Sequence, residues 1–167
     1  MESALVLTSD APSATRALGR VLGSAARPGD CLALVGDLGA GKTTLAAGLG
    51  EGLEVTEPLR SPTYLLCHEH VGRLPVLHLD AYFAERMEGL LLEGLAARFG
   101  EDVVLVLEWA DRLTEWWPRD RLEVVLEAVD ATSRRRLRFR PLGPRARDLL
   151  RRARTGLLAA ADDGGKP

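Results

Sequence analysis

Lysine is scarce in this chain of 167 residues, which contains 22 basic residues but lysine only at positions 42 and 166. The single internal lysine, Lys42, therefore stands out against a background of arginine. A compact ammonium group suits a crowded anion-binding pocket better than a planar guanidinium fork does. The composition therefore indicates a candidate anion-binding site around position 42.

Cysteine is also scarce, and long apolar runs are missing. With only Cys31 and Cys67, the chain is not expected to form a structural disulfide. No apolar run approaches the length of a transmembrane helix, and the N-terminus has neither the charged nor the apolar region of a signal peptide. We therefore expect a cytoplasmic protein, and the length suits one domain with a sizeable core.

Acidic residues are almost missing from one part of the chain. Residues 134–154 contain ten arginines and one acid, Asp148, whereas residues 1–133 contain 11 basic and 21 acidic residues, a net charge of −10. This asymmetry is typical of a protein with a polyanionic or acidic partner. A solvated strand face followed by an amphipathic helix explains it equally well, so both interpretations stay open.

Eight consecutive residues match the G-x-x-x-x-G-K-[ST] pattern of phosphate-binding loops without a mismatch. They are Gly36, Asp37, Leu38, Gly39, Ala40, Gly41, Lys42 and Thr43. The apolar run at 31–35 predicts a buried parallel strand before the loop, and the apolar spacing from Lys42 to Leu53 predicts a helix after it. A strand, a glycine turn and a helix are the setting that this motif requires.

The chemistry of the motif follows from its backbone. A glycine-rich turn lets successive N–H groups point inward and form a nest for an anion. The following helix adds free N–H groups and the positive end of its dipole. Lys42 then supplies a charge for the β- and γ-phosphates, and the Thr43 hydroxyl is a ligand for Mg²⁺.

The rest of the chain alternates between strand and helix patterns. Pro28-Gly29-Asp30 separates the first helix from the strand before the loop, and Gly72-Arg73 predicts a hairpin turn. We expect strands at 4–8, 31–35, 65–70, 74–79, 103–107, 122–129 and 134–140, and helices from about Pro12, at 42–53, at 84–99 with breaks near Gly89 and Gly94, and at 145–160. Ser9 or Asp10 is expected to cap the first helix.

Two acids end apolar strands, Asp80 and Glu108. Ligands in open α/β sheets bind beyond the carboxyl ends of the strands, so either acid is suited to hold Mg²⁺ or to orient the attacking water. Spacing does not decide between these roles. Thr63, in the hydroxyl-rich stretch at 61–64, is the candidate sensor of a γ-phosphate, unless that stretch is only a turn into the next strand.

Two other clusters of residues suggest alternative sites. Cys67, His68, His70 and His78 lie close in sequence, but residues 67, 68 and 70 do not have standard zinc spacing, and strand alternation places Cys67 and His68 on opposite faces. The tryptophans at 109, 116 and 117 suit a stacking surface for nucleic acid, although such residues more often pack in a core or at its rim.

Four linked motifs resemble the TsaE (YjeE) family, bacterial P-loop ATPases needed to make threonylcarbamoyladenosine in tRNA. These motifs are the loop at 36–43 followed by Thr44, the Ser61-Pro62-Thr63-Tyr64 tetrad, His78-Leu79-Asp80 with Tyr82, and Leu107-Glu108-Trp109. The resemblance covers about residues 4–140. The order and spacing of these four motifs are far more specific than the phosphate-binding loop alone.

The resemblance implies an α/β fold, a single-domain P-loop NTPase-like three-layer sandwich with a mixed, mostly parallel central sheet and antiparallel edge hairpins. This domain would occupy residues 1–160, before a disordered tail at 161–167. ATP phosphates would lie at residues 36–42, next to Thr44, with Mg²⁺ on Thr43 and Glu108. Asp80 and Thr63 would line the γ-phosphate and serve hydrolysis, while Ser9 and Arg134 would flank the adenine and ribose.

The implied partners are the TsaD and TsaB proteins, with tRNA contacted weakly or indirectly. ATP binding would drive docking onto the TsaB–TsaD pair and hydrolysis would reset it, while threonylcarbamoyl transfer would occur elsewhere. Two alternatives remain. One is a small-molecule kinase with a lid arginine from Arg60, Arg86 or Arg98, and the other is a nucleotide-gated adaptor without catalysis. Direct RNA binding by the arginine-rich segment is a separate hypothesis.

Overall fold

A seven-stranded sheet with helices on both faces forms the domain in a computed structural model that describes residues 4–61, 64–100 and 102–164. The strands are β1 (Leu5–Ser9), β2 (Cys31–Val35), β3 (Cys67–His70), β4 (Val76–Asp80), β5 (Val104–Glu108), β6 (Arg121–Ala128) and β7 (Arg135–Leu142). The α-helices are α1 (Pro12–Ala25), α2 (Lys42–Gly52), α3 (Ala84–Leu92) and α4 (Pro144–Asp163).

The sheet is parallel in its centre and antiparallel at both ends. Its strand order is β1-β7-β6-β2-β5-β4-β3. The four strands β6, β2, β5 and β4 run parallel, whereas β3 pairs antiparallel with β4, and β7 pairs antiparallel with both β6 and β1. This confirms the predicted mixed sheet. Because the central strands are parallel, the ends of β2, β4 and β5 meet at one edge, where a site is expected.

Apolar side chains on the two faces of the sheet form two cores. One core joins the sheet to α1, α2 and α4, and includes Leu18, Leu49 and Leu157. The other joins β2, β5 and β4 to α3 and includes Met87 and Trp117. The predicted three layers are therefore present. The outward face of β1, β7 and β6 remains open, as the exposure of Val6 indicates.

Helices α1 and α2 approach each other backbone to backbone. A Cβ added at Gly19 would lie 2.2 Å from the Leu45 carbonyl oxygen, and one added at Gly48 would lie 2.0 Å from the Arg16 carbonyl oxygen. Gly23 and Gly52 are equally confined one helical turn further on. Since α2 begins at the glycine-rich loop, this close packing fixes the position of the loop on the sheet.

Two helices differ most from the predictions. Helix α4 continues to Asp163 rather than ending at residue 160, because Ala160 and Ala161 pack against the first core. The expected disordered tail at 161–167 is thus wrong for its first residues, and 165–167 lie outside the described part of the chain. Helix α3 also runs through Gly89 without a break and stops before Gly94, whose φ is 119°. No helix in the described ranges has the length and apolar character needed to cross a membrane.

Candidate functional site

The glycine-rich loop connects β2, in the middle of the sheet, with the first residue of α2. Gly39 and Gly41 have φ values of 79° and 106°, a left-handed conformation that residues with a side chain rarely adopt. Gly41 is the N-cap of α2. The free N–H groups and the positive dipole end of α2 are therefore presented at the loop, as anion binding requires.

Lys42 is held inside this loop and is only 5% exposed. Its Nζ donates hydrogen bonds to the Gly36 oxygen at 2.5 Å and the Asp37 oxygen at 2.8 Å, and lies 3.7 Å from the centre of the Trp109 ring. Burial lowers the pKa of Lys42, while Glu108 and other nearby acids act in the opposite direction. A bound anion would act in the same direction as these acids and raise the pKa of Lys42.

Thr43 and Glu108 meet across the loop. The Thr43 hydroxyl donates to Glu108 Oε1 at 3.0 Å, and the carboxylate is buried at the end of β5. The second oxygen, Oε2, is 2.7 Å from Nε2 of His78, a fully buried residue of β4. Glu108 is thus bonded through both oxygens, one toward the loop and one toward the interior.

Asp80 lies beside Glu108 at the neighbouring strand end, since the two residues are paired in the register of β4 and β5. Its Oδ1 accepts a hydrogen bond from the Tyr82 N–H, and its Oδ2 accepts one from the Ser61 hydroxyl, both at 2.8 Å. Asp80 is fully buried and does not line the cleft itself. Its contacts reach the cleft through Ser61 and Tyr82, which do line it.

A cleft of about 290 Å³ lies over the loop. Leu38 and Thr44 line it together with the loop glycines, whereas Ala40 points into the first core. Larger space exists between α1 and α4, about 680 Å³, but it is lined mostly by alanine, serine and glycine and lies away from the loop. The chemistry of the side chains, rather than cavity size, locates the candidate site.

Two aromatic residues line one side of the cleft, and the sequence did not predict their role. Trp109 follows β5 in a left-handed conformation, φ 57°, and its ring lies 5.1 Å from that of Tyr82. The guanidinium of Arg112 lies over both rings, 4.8 and 4.9 Å from their centres, and donates to the backbone carbonyl oxygen of Tyr82. Trp109 directly follows Glu108, and Tyr82 lies two residues after Asp80; that proximity to the strand-end acids was the available signal.

Ser9 and Arg134, expected near a nucleoside, are engaged within the protein. Ser9 is buried, donates to the Ala11 oxygen at 2.9 Å and lies 2.7 Å from the Thr15 hydroxyl. It does not cap α1, because Ala11 occupies the N-cap. Arg134 pairs with Asp10 at 3.0 Å on the surface. The neighbouring Arg135 instead donates to the Gly39 oxygen, a contact the sequence analysis missed.

Two other sequence interpretations have limited support. Thr63 lies outside the described residues, so its role as a phosphate sensor stays a prediction. The rings of His68, His70 and His78 are close, with centres 4.2 and 6.2 Å apart. Across the described ranges, however, no group of three His, Cys, Asp or Glu side chains is arranged to hold a metal ion.

The fold and the site define a class of protein: a single α/β domain in which a glycine-rich loop leads from the central strand of a mixed sheet into a helix, beside acids at two neighbouring strand ends. Within this class the chain belongs to the TsaE family. The model of the family described as threonylcarbamoyl adenosine biosynthesis protein TsaE matches residues 9–137.

Individual relatives agree with this assignment. The chain is 38% identical to the tRNA threonylcarbamoyladenosine biosynthesis protein TsaE of Bacillus subtilis over 80% of this chain and 84% of that protein. It is 42% identical to the Nostoc protein of the same name over 70% and 74% of the two chains. It is also similar to the crystal structure of Bacillus subtilis YdiB, with a TM-score of 0.73, 32% identity and 93% and 97% coverage. The resemblance predicted from four motifs is confirmed.

Proposed function

We propose that this chain binds and hydrolyses ATP as an accessory protein in the threonylcarbamoyladenosine modification of tRNA. Membership of the TsaE family supplies the role in biosynthesis of this modified nucleoside. The observation that carries the ATPase proposal is the Thr43–Glu108 pair, 3.0 Å apart, next to Lys42 at the start of α2. A hydroxyl, a carboxylate and an ammonium at a glycine-rich loop are the groups that a metal-bound triphosphate requires.

The donor set fits a magnesium nucleotide. Hydroxyl and carboxylate oxygens are ligands that Mg²⁺ prefers, and Mg²⁺ commonly takes few protein ligands because phosphates and water complete its shell. Thr43 and Glu108 would hold the ion, which supplies neutralising charge for the phosphate oxygens. The loop also leaves room for the phosphates, since a Cβ placed at Gly39 would have nothing within 4 Å.

Lys42, Glu108 and Asp80 would each have a separate role around the bound nucleotide. Lys42 would exchange the carbonyl oxygens of Gly36 and Asp37 for phosphate oxygens, whose negative charge stabilises the ammonium. Glu108 would hold the metal-binding side of the site. Asp80, through its bond to the Ser61 hydroxyl, would hold Ser61 at the cleft. The predicted role of Thr63 as a γ-phosphate sensor is part of the proposal.

The partners are proposed from the family rather than from contacts. The chain would act in the cytoplasm on the TsaB–TsaD pair, with ATP binding favouring the docked state and hydrolysis favouring release. The exposed cleft rim suits such a coupling. Leu38 is 82% exposed there, so a docked protein could sense the occupied loop directly.

Weak tRNA contact is proposed on the open face of β7. Leu137 and Phe139 are buried, so alternation places Arg136, Arg138 and Arg140 together on the opposite, exposed face. Arg138 is flanked in register by Val6 and Val125 and makes no ion pair with any described residue. Arg136 and Arg140 lie 3.9 and 3.5 Å from Glu127 and Glu123, so the charge of this face is partly balanced. The remaining positive charge is complementary to a phosphate backbone and carries no base readout of its own.

The proposal is tested by measuring ATP turnover of this chain alone and with TsaB and TsaD. We expect slow turnover alone and faster turnover with both proteins. Turnover that does not respond to the partners, together with no nucleotide-dependent association in a pull-down, would contradict the coupling.

Two further measurements separate the small-molecule kinase and the nucleotide-gated adaptor from the proposed ATPase. Phosphoryl transfer to a molecule other than water would favour a kinase, although Arg60, Arg86 and Arg98 do not line the cleft and Arg98 is paired with Glu69. A Glu108→Gln variant that binds ATP, does not hydrolyse it and still supports tRNA modification would favour a nucleotide-gated adaptor.

A further inference from the structure

His78 occupies a position that the ATPase proposal does not use. It lies in the middle of β4, fully buried, two residues before Asp80. Its partner in the register is Val106 on β5, so Glu108 is its diagonal neighbour on the same face of the sheet. The imidazole Nε2 reaches the inner oxygen of Glu108 at 2.7 Å. His78 therefore stands behind the candidate metal ligand, on the side away from the loop.

The contacts of His78 assign its tautomer. A carboxylate that is only 2% exposed needs a donor for each oxygen, because an unpaired buried charge is costly. Thr43 supplies one donor, and Nε2–H of His78 supplies the other. Nδ1 of His78 is buried without a partner among the described residues, so a proton there would have no acceptor. The ring is accordingly protonated at Nε2 and bare at Nδ1.

We infer that His78 is the positioning residue of Glu108. By fixing Oε2 through Nε2–H, it holds the carboxylate in the orientation that directs Oε1 toward the Thr43 hydroxyl. This inference rests on the proposed function in one respect, that Mg²⁺ binds between Thr43 and Glu108. Groups that orient a metal ligand from behind typically change metal affinity by about 10- to 100-fold when they are removed.

His70 provides a matched control within the same fold. It is a histidine that is 5% exposed on the adjacent strand β3, its ring centre lies 6.2 Å from that of His78, and its Nε2 is also buried without a partner among the described residues. No hydrogen bond joins His70 to Glu108 in the described structure. Replacing His70 removes a side chain of the same volume as replacing His78, but it leaves the hydrogen bond between His78 and the Glu108 carboxylate in place.

The first measurement uses the protein without nucleotide. Long-range ¹H–¹⁵N NMR of ¹⁵N-histidine-labelled protein should show His78 as the Nε2–H tautomer, and Glu108→Gln should shift the His78 signals far more than those of His70. An Nδ1–H tautomer of His78, or His78 signals that do not shift in the Glu108→Gln variant, would overturn the inference. Because this readout needs neither ATP nor Mg²⁺, it remains decisive even if the proposed ATPase function fails.

The second measurement compares variants. We expect His78→Leu to raise the Mg²⁺ concentration for half-maximal ATP turnover at least about tenfold, while ATP affinity in EDTA stays unchanged. His78→Gln, whose amide can donate from a similar position, should recover most of the loss, and His70→Leu should behave like the parent protein. An unchanged Mg²⁺ requirement in His78→Leu, or an equal change in His70→Leu, would contradict the inference. If His78→Leu does not fold, His78→Gln and the NMR measurement still decide.

Discussion

At the scale of single residues, the candidate site is built from contacts that bring the charged side chains of Lys42 and Glu108 to the glycine-rich loop. The glycine-rich loop motif predicted Lys42 and Thr43, and the apolar strands predicted the acids at their ends. It did not predict that Trp109 would cover Lys42 or that His78 would bond Glu108. Those contacts depend on which strands are neighbours and in what register, and a single sequence does not encode that in any local pattern.

Replacing Lys42 with alanine should weaken ATP binding at least about tenfold, because it removes a charge-assisted contact from a buried phosphate site. Lys42→Arg should recover little, since the planar guanidinium does not fit between two loop carbonyls and the Trp109 ring. Isothermal titration calorimetry with ATP measures both. Equal affinity of the parent and alanine proteins would argue against this loop as the phosphate site.

Glu108→Gln should affect hydrolysis more than binding. The amide keeps the shape of the side chain, and the loop N–H groups and Lys42 still hold the phosphates, so ATP affinity should change little. Turnover should fall about a hundredfold or more, because the carboxylate charge at the reacting group is lost. Calorimetry and a phosphate-release assay on the same preparation test this difference. A proportionate loss in both would place Glu108 in binding alone.

At the scale of helices and strands, local pattern predicted nearly every element, since apolar periodicity and turn residues act within short segments. What it did not predict is how closely α1 and α2 pack. Glycine in a helix ordinarily indicates a weak point, but Gly19 and Gly48 have a neighbouring backbone where a side chain would begin. These glycines are needed because the two helices pack backbone to backbone, and that tertiary contact cannot be recognised from either helix alone.

Gly48→Ala is therefore expected to destabilise the protein by about 2 kcal/mol or more, because a Cβ 2.0 Å from the Arg16 carbonyl oxygen forces two helix backbones apart. Gly89→Ala is the matched control. It lies inside α3 with nothing within 4 Å of the added Cβ, so helix propensity alone should stabilise the protein by up to about 1 kcal/mol. Urea unfolding of both variants measures these opposite signs. Two variants of equal stability would mean that α1 and α2 separate without cost.

At the scale of the whole molecule, charge is divided between an acidic body and a basic segment at 134–154. The sequence could not decide whether that segment is a solvated surface or a binding surface. The fold separates its arginines into two groups. Arg136, Arg138 and Arg140 share the open face of β7, whereas Arg147, Arg151 and Arg154 are exposed on α4. Several others are used internally, as Arg152 is with Asp30.

This separation allows RNA binding to be tested with equal changes of net charge. The variant Arg136→Gln/Arg138→Gln/Arg140→Gln should bind a tRNA transcript more weakly, with the slope of log affinity against log salt reduced by about two. Arg147→Gln/Arg151→Gln/Arg154→Gln loses the same charge and should bind like the parent protein. Fluorescence anisotropy across a salt series measures both, with ATP turnover as the check on folding. If the α4 variant shows the loss instead, the binding surface is the helix. If both bind normally, the strand arginines are a solvated face or meet an acidic protein.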